Sequence, residues 1–504
     1  MKPSRKVSSV LRIALRVIAD FLIVHTAMLA ALMMVALQFQ TGSDESFRVG
    51  LAGLRHYYLT LFLPLSVLFP CFYALSGLYT TSRTYSKALA LRRAGSAASI
   101  AALGMLSASF LLPYSETLPR IAALIFSGLL IVGTPGIRWL KHTLFEHEKA
   151  DRPSNAARGQ VVLVVGGAGY IGSIVVRTLL KRGYQVRVLD SLVYGASAIE
   201  EVLHHPRLEF IRGDCRNIQD VVGAIRGAGA VIHLAAIVGD PACDQDHKTA
   251  QEINYAATRM MIEIAKGEGV ARFIFASSCS VYGASDEVMD ENSQVQPISL
   301  YADTKVDSEQ ALLAAATPGF HPTILRFSTI FGLSPRPRFD LVVNLLTAKA
   351  IKERVITIYN GQQWRPFLHV ADAAASIVQV LEAPVSLVGR QIYNVGDSRL
   401  NYTLTEVAEK LVEYFPNTRV ENVENDDRRS YRVSFQKIKG HLGFTCSKTL
   451  DDGIDEIKAA FASGQISDYS LALYSNVKYL KLHGSPVQNN KLGSQVMAAL
   501  AQKV

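Results

Sequence analysis

Apolar residues fall in two different patterns along this chain. Before residue 150 they form four long stretches, at 17–39, 57–79, 94–113 and 121–140. Each approaches the roughly 20 apolar residues that a helix needs to cross a bilayer. Beyond residue 160 they form short runs, at 161–165, 186–189, 208–211, 230–234, 273–276 and 323–326, separated by helix-like segments. Such alternation predicts a doubly wound parallel sheet, whose ligands bind beyond the carboxyl ends of the strands. The chain is therefore read as a transmembrane domain over 1–144, a polar linker over 145–158, an α/β domain over 159–465 and an uninformative tail over 466–504.

Charge orients the first part. The chain has 52 basic and 43 acidic residues, a net charge of +9. Its mean hydropathy is +0.19. Basic residues gather at the N-terminus (Lys2, Arg5, Lys6), between the second and third stretches (Arg83, Lys87, Arg92) and after the fourth (Arg138, Lys141, Lys149). The intervening loops are poor in them. This bias predicts an integral membrane protein with four spans and with both termini and the α/β domain in the cytoplasm. It also accounts for the basic excess without nucleic acid. Two polar residues lie in the first stretch, Asp20 as an interfacial residue and His25 as a bundle-facing one. The five cysteines include no Cys-x-x-Cys pair, so neither a metal site nor a disulfide framework is indicated.

One motif carries chemistry on its own. Gly166, Gly169 and Gly172 follow the first short apolar run and open a helix-like segment. A strand, a glycine turn and a helix start together make a site for a pyrophosphate. Asp190 ends the next strand, 18 residues past Gly172, close to where a ribose-binding acid is expected.

Further motifs follow in order: Asp214, His233-Leu-Ala-Ala236, Ser277 and Ser278 before Tyr282-Gly283, Tyr301-x-x-x-Lys305, and Arg365-Pro-Phe-Leu-His-Val-Ala-Asp372. In this order they resemble the extended short-chain dehydrogenases/reductases, and within them the NAD-dependent nucleotide-sugar epimerase/dehydratase branch. The resemblance covers about three fifths of the chain. It implies a Rossmann-type doubly wound sheet with a small C-terminal substrate-binding part, here preceded by an all-α four-helix transmembrane domain. It implies NAD held by Gly166, Gly169, Tyr170, Ile171, Gly172, Asp190, Asp214, Cys215, Ala235 and Lys305. It implies catalysis by Tyr301, Lys305 and Ser278, with substrate held by Ser280, Asn344, Arg365 and Arg428.

The residues fit this chemistry. Tyrosine is a poor base at its ordinary pKa of about 10, and a lysine one helical turn on would stabilise the phenolate. Ser278 is placed to hold the reacting oxygen. Asp190 implies NAD rather than NADP, because a carboxylate repels a 2′-phosphate. Arg365 suits bidentate binding of a diphosphate. Arg428 and Arg429 stand either as a second clamp or as a solvated charge cluster, and Asp340 as a candidate contact to base or sugar. His233, His369 and Asp372 are read as structural.

Dehydratases of the branch carry an Asp-Glu pair where this chain has Cys279 and Ser280, so the elimination would lack its acid and base. The resemblance therefore favours a 4-epimerase over a dehydratase or a ketoreductase. One departure stands against it, since Thr329 occupies a usual asparagine position. The membrane stretches resemble those of capsule, O-antigen and exopolysaccharide enzymes. The expected partners are a nucleotide sugar or a polyprenyl-linked sugar, the bilayer, a glycosyltransferase and a second copy of the chain; a non-catalytic NAD-binding scaffold is the alternative of another class.

Overall fold

The computed structural model describes residues 5–37, 44–75, 87–111, 117–150, 160–425, 429–486 and 491–501. The chain divides into two compact units, Met1–Lys149 and Ala150–Val504.

The first unit is helical throughout its described residues. Among the described residues two helices are long and apolar enough to cross a membrane, Val17–Leu37 and Arg120–Ile137. A third crossing is counted only if Arg48–Thr60 and Leu63–Leu75, bent by 41°, form one broken span. Pro64 lies at that break, and a residue without an N–H cannot continue the helical ladder. The alanine-rich third stretch supplies a shorter apolar helix, Ala94–Ala108. Of the four expected spans, the described residues thus support two, or three with the bent pair. Aromatic side chains fill the interior: Phe62 meets Phe126 edge-on at 5.4 Å, and Phe69 meets it at 5.7 Å. His25 Nδ1 lies 2.7 Å from the Tyr58 hydroxyl, an interior contact as expected. Asp20, near the start of the helix Val17–Leu37, is buried among the helices. The last helix runs to Ala150, so the first residues of the expected linker are helical. They include no proline or glycine to stop it.

The second unit is built on a parallel sheet. Its strands are β1 (Val161–Val165), β2 (Gln185–Asp190), β3 (Leu208–Arg212), β4 (Ala228–His233), β5 (Arg272–Ser278), β6 (His321–Phe327) and β7 (Gln391–Val395), in the spatial order β7-β6-β5-β4-β1-β2-β3. Every neighbouring pair is parallel. The order reverses beside β1, which opens a crevice at its carboxyl end. Strands buried on both faces read as continuous apolar runs, which is why the central strands were visible in sequence; the edge strand β3, with no fully buried residue, was visible from Leu208, Phe210 and Ile211. Helices cover both faces and enclose two apolar cores, one around Val176, Leu179 and Ile377, the other around Val231, Met261 and Phe273.

Three smaller sheets lie outside this frame. One pairs Trp364–His369 with Thr329–Phe331 and Asn401–Thr403 and carries Arg365. Another pairs Ser430–Val433 with Ala284–Met289. The segment after residue 465 does not stand apart as a tail. Helices Asn476–His483 and Lys491–Ala501 join the second core through buried Leu480 and Met497, and Arg259 donates to the Leu500 carbonyl at 2.8 Å.

Candidate active site

A cavity of about 570 Å³ opens at the carboxyl ends of the strands. Its floor is the glycine turn. Gly166 has φ +86°, and a Cβ there would lie 2.7 Å from the Ala235 nitrogen. A Cβ on Gly172 would lie 2.1 Å from the Gly166 carbonyl oxygen. No side chain fits at either place, so the turn stays tight against β4 and the following helix, Gly172–Lys181, starts at the cavity. At the end of β2 the Asp190 carboxylate accepts the Ala168 N–H at 2.9 Å and the Leu192 N–H at 2.8 Å. Burial raises its pKa, opposed by these two bonds and by the charge of Arg336. A buried carboxylate at this strand end, beside backbone that only glycine permits, fits the ribose and pyrophosphate of NAD. All ten residues expected to hold the cofactor line the cavity.

Two of them do more than line it. The Asp214 carboxylate is engaged by the nearly inaccessible Arg216, at 2.7 Å, and so braces the wall. The Tyr170 hydroxyl donates to the Gly332 carbonyl at 2.6 Å, so its ring ties the glycine turn to the loop after Thr329–Phe331.

The catalytic candidates converge on the opposite side. Ser278 ends β5 and caps the short turn Cys279–Tyr282, accepting the Ser280 N–H at 3.1 Å. Its hydroxyl also stands near enough to the Tyr301 phenol to favour the ionised form. Helix Leu300–Ala315 begins at Ser299, which caps it, and presents Tyr301 and Lys305 one turn apart. Lys305 Nζ donates to the Ala276 carbonyl at 2.7 Å and lies 5.6 Å from the centre of the Tyr301 ring. Burial pulls Lys305 down to about 8. Burial, with Cys243 and Asp240 nearby, pushes the Tyr301 phenol above its ordinary value, and the charge of Arg338 and the Ser278 hydroxyl oppose that. Desolvation therefore works against phenolate formation here, which makes the ammonium more necessary rather than less.

Beneath the site is a buried polar network. Ser277 donates to Glu309 at 2.5 Å, Glu309 pairs with Arg326 at 2.7 Å, and Arg326 donates to the Tyr282 hydroxyl at 2.9 Å. It locks β5 to β6 and to the helix that carries Tyr301. His233 is also structural: its Nε2 lies 3.0 Å from the Thr258 hydroxyl, and burial holds it neutral, at about 3. His369 pairs with Glu456 at 3.1 Å, and Asp372 accepts two backbone N–H groups from Ser447 and Lys448.

Of the residues expected to bind substrate, Ser280 and Arg365 line the cavity and Asn344 does not. The Asn344 amide is fully buried, accepting from Gly332 N–H at 2.8 Å and donating to the carbonyls of Gly332 and Arg338. It closes a loop. Asp340 likewise holds Arg338, at 2.9 Å. Ser280 Oγ is buried with no hydrogen-bond partner among the described residues. Arg365 donates to Gln363 at 2.9 Å and to the Arg429 carbonyl. Arg428 lies outside the described residues. Its neighbour Arg429 lines the cavity and pairs with Asp240, whose other oxygen accepts Ser299 at 2.6 Å. Asp240, Tyr431 and Arg336 also line the cavity and were not singled out in sequence. The arginine at 336, framed by Pro335 and Pro337, was the one visible signal.

A family model described as "NAD dependent epimerase/dehydratase family" matches residues 162–396. The chain is 30% identical over 245 residues to an uncharacterized UDP-glucose epimerase of Bacillus subtilis, covering 47% of this chain and 76% of that one. Among solved structures it is similar to a dTDP-glucose 4,6-dehydratase of Streptomyces venezuelae with NAD bound (27% identity, TM-score 0.55, covering 60% of this chain and 98% of that one). It is similar also to a UDP-glucose 4-epimerase of Thermotoga maritima with UDP-glucose (25% identity, TM-score 0.55, covering 60% and 99%). The glycine turn, the carboxylate on β2 and the Ser278–Tyr301–Lys305 cluster thus occur in a chain that belongs to the NAD-dependent epimerase/dehydratase family, with NAD as its cofactor.

Proposed function

We propose that this protein is a membrane-anchored sugar epimerase that inverts carbon 4 of a nucleoside-diphosphate hexose. The observation that carries the reading is the make-up of the cavity wall between Ser278 and Tyr301. Ser280 lines the cavity there, while Cys279 is buried behind it with its thiol donating to the Arg326 carbonyl at 3.3 Å. Elimination of water needs an acid and a base beside carbons 5 and 6. Asp240 is the cavity carboxylate near Tyr301, and it is committed to Arg429 and Ser299.

NAD supplies a hydride acceptor, and its oxidised nicotinamide adds positive charge that favours the phenolate. Tyr301 takes the hydroxyl proton and returns it after the ketosugar has turned. Lys305 stabilises the phenolate, and Ser278 with Ser280 holds the sugar oxygen. Arg365 and Arg429 are the cationic groups for the diphosphate. The apolar helices anchor the enzyme in the bacterial inner membrane with the α/β unit in the cytoplasm, beside the transferase that consumes its product in polysaccharide, O-antigen or capsule synthesis. A polyprenyl-linked sugar is the alternative substrate.

Dehydratases among the relatives favour a second reading. NMR of products from a panel of UDP- and dTDP-sugars separates the two. Epimerisation gives an isomer of unchanged mass and consumes no cofactor. Loss of water refutes the proposal, and stoichiometric oxidation of NADH would identify a ketoreductase. Equal turnover of free nucleotide sugar by a chain lacking residues 1–150 would exclude a lipid-linked substrate.

A further inference from the structure

The loop after Thr329–Phe331 carries two arginines two residues apart, Arg336 and Arg338, both more than nine-tenths buried and both lining the cavity. Arg338 is neutralised by Asp340. Arg336 has no ion pair with a carboxylate among the described residues. Its guanidinium lies 3.8 Å from the centre of the Tyr194 ring, its Nη2 donates to Asn476 at 2.6 Å, and its buried Nε has no hydrogen-bond partner among the described residues. Desolvating a cation without an anion is costly. A buried guanidinium held by stacking and by one neutral amide, with a donor left over, is a site built for an anionic ligand.

Its position says which one. Tyr194 follows Asp190 by four residues, and Arg336 is near enough to Asp190 for each to feel the other's charge. Asp190 ends β2 and Asp214 follows β3 by two residues, where this fold receives the adenosine half of a dinucleotide. The wall on that side comes from the C-terminal segment. Asn476, Leu480 and Pro486 line the cavity. The Asn476 N–H donates to Asp340 at 2.8 Å, Arg216 donates to the Pro486 carbonyl at 2.8 Å, and Tyr479 meets Tyr194 at 5.2 Å.

We propose that Arg336 contacts the adenosine-side ribose and phosphate of bound NAD, and that residues 474–486 close over this half of the cofactor, Asn476 positioning the guanidinium. The inference rests on NAD being the cofactor, not on which sugar reaction follows.

The test is equilibrium binding of NAD, and separately of UDP, to the full chain in detergent, without turnover. Arg336→Gln is expected to weaken NAD by about tenfold or more, the loss of one charge-assisted bond, and to leave UDP unaffected. Asn476→Ala is expected to weaken NAD by a smaller factor. The double variant should be no weaker than Arg336→Gln, because Asn476 acts through Arg336. Arg399→Ala, in an exposed ion pair, should change nothing. Unaltered melting of the cofactor-free variants guards against misfolding; if Arg336→Gln does not fold, Arg336→Lys and Asn476→Ala carry the test. NAD affinity within twofold of the parent in the folded variants, or loss of UDP instead of NAD, overturns the proposal. Failure of the epimerase reading would leave these binding results unmoved.

Discussion

Replacing Lys305 by methionine keeps the length of the side chain and removes its charge. With the ammonium 5.6 Å from the Tyr301 ring, two unit charges in an effective dielectric of about 20 interact by about 3 kcal/mol. That is roughly two pKa units, or about a hundredfold in the population of phenolate. Burial already holds the phenol above its ordinary value, and the charge of Arg338 and the Ser278 hydroxyl offset that only in part. Lys305→Met is therefore expected to lower kcat by about a hundredfold at neutral pH. The sign of the pH dependence follows from the lysine. Its pKa lies at about 8, so the charge is present below that value and is lost as pH rises through it. In the parent enzyme kcat/KM should fall above about pH 8, and in the variant this descending limb should vanish. Product formation from a nucleotide sugar, followed by NMR from pH 6 to 10, measures both. A variant within threefold of the parent, with the same descending limb, would refute the idea that the ammonium tunes the phenol.

Other expectations are independent of that one. Tyr301→Phe should reduce turnover by about a thousandfold, within the range for loss of a general acid/base, while NAD affinity measured by calorimetry stays unchanged. Arg365→Ala should raise KM by about 30-fold, equivalent to roughly 2 kcal/mol for a charged hydrogen bond, with a smaller effect on kcat; steady-state kinetics on the same sugar separates the two constants. Gly172→Ala should abolish NAD binding or destabilise the fold, because its Cβ would stand 2.1 Å from the Gly166 carbonyl oxygen; thermal melting with and without NAD reads either outcome.

What was legible in sequence was what burial on two faces makes regular. The apolar runs of β1 to β6 announce themselves, and the glycine turn and Tyr301–Lys305 are local motifs whose geometry follows from spacing alone. β7 escaped because Gln391 and Asn394 interrupt its apolar character; Asn394 is satisfied by distant Tyr282 and Glu291. Asn344 looked available to substrate because no sequence reveals that an amide is spent on closing its own loop. The C-terminal segment looked empty because it is held by a few buried side chains and by backbone groups that meet Arg216 and Asp340 from far along the chain. The third apolar stretch, read as a span by composition, forms a helix over Lys87–Leu111.

Transfer of hydrogen to NAD and back to the same carbon is the core of the account. It is tested most directly by incubating the full chain with nucleoside-diphosphate hexose deuterated at carbon 4. The epimer should retain deuterium at carbon 4, with no net change in NAD. Exchange of that deuterium for solvent hydrogen, or its appearance in released NADH, would contradict the account.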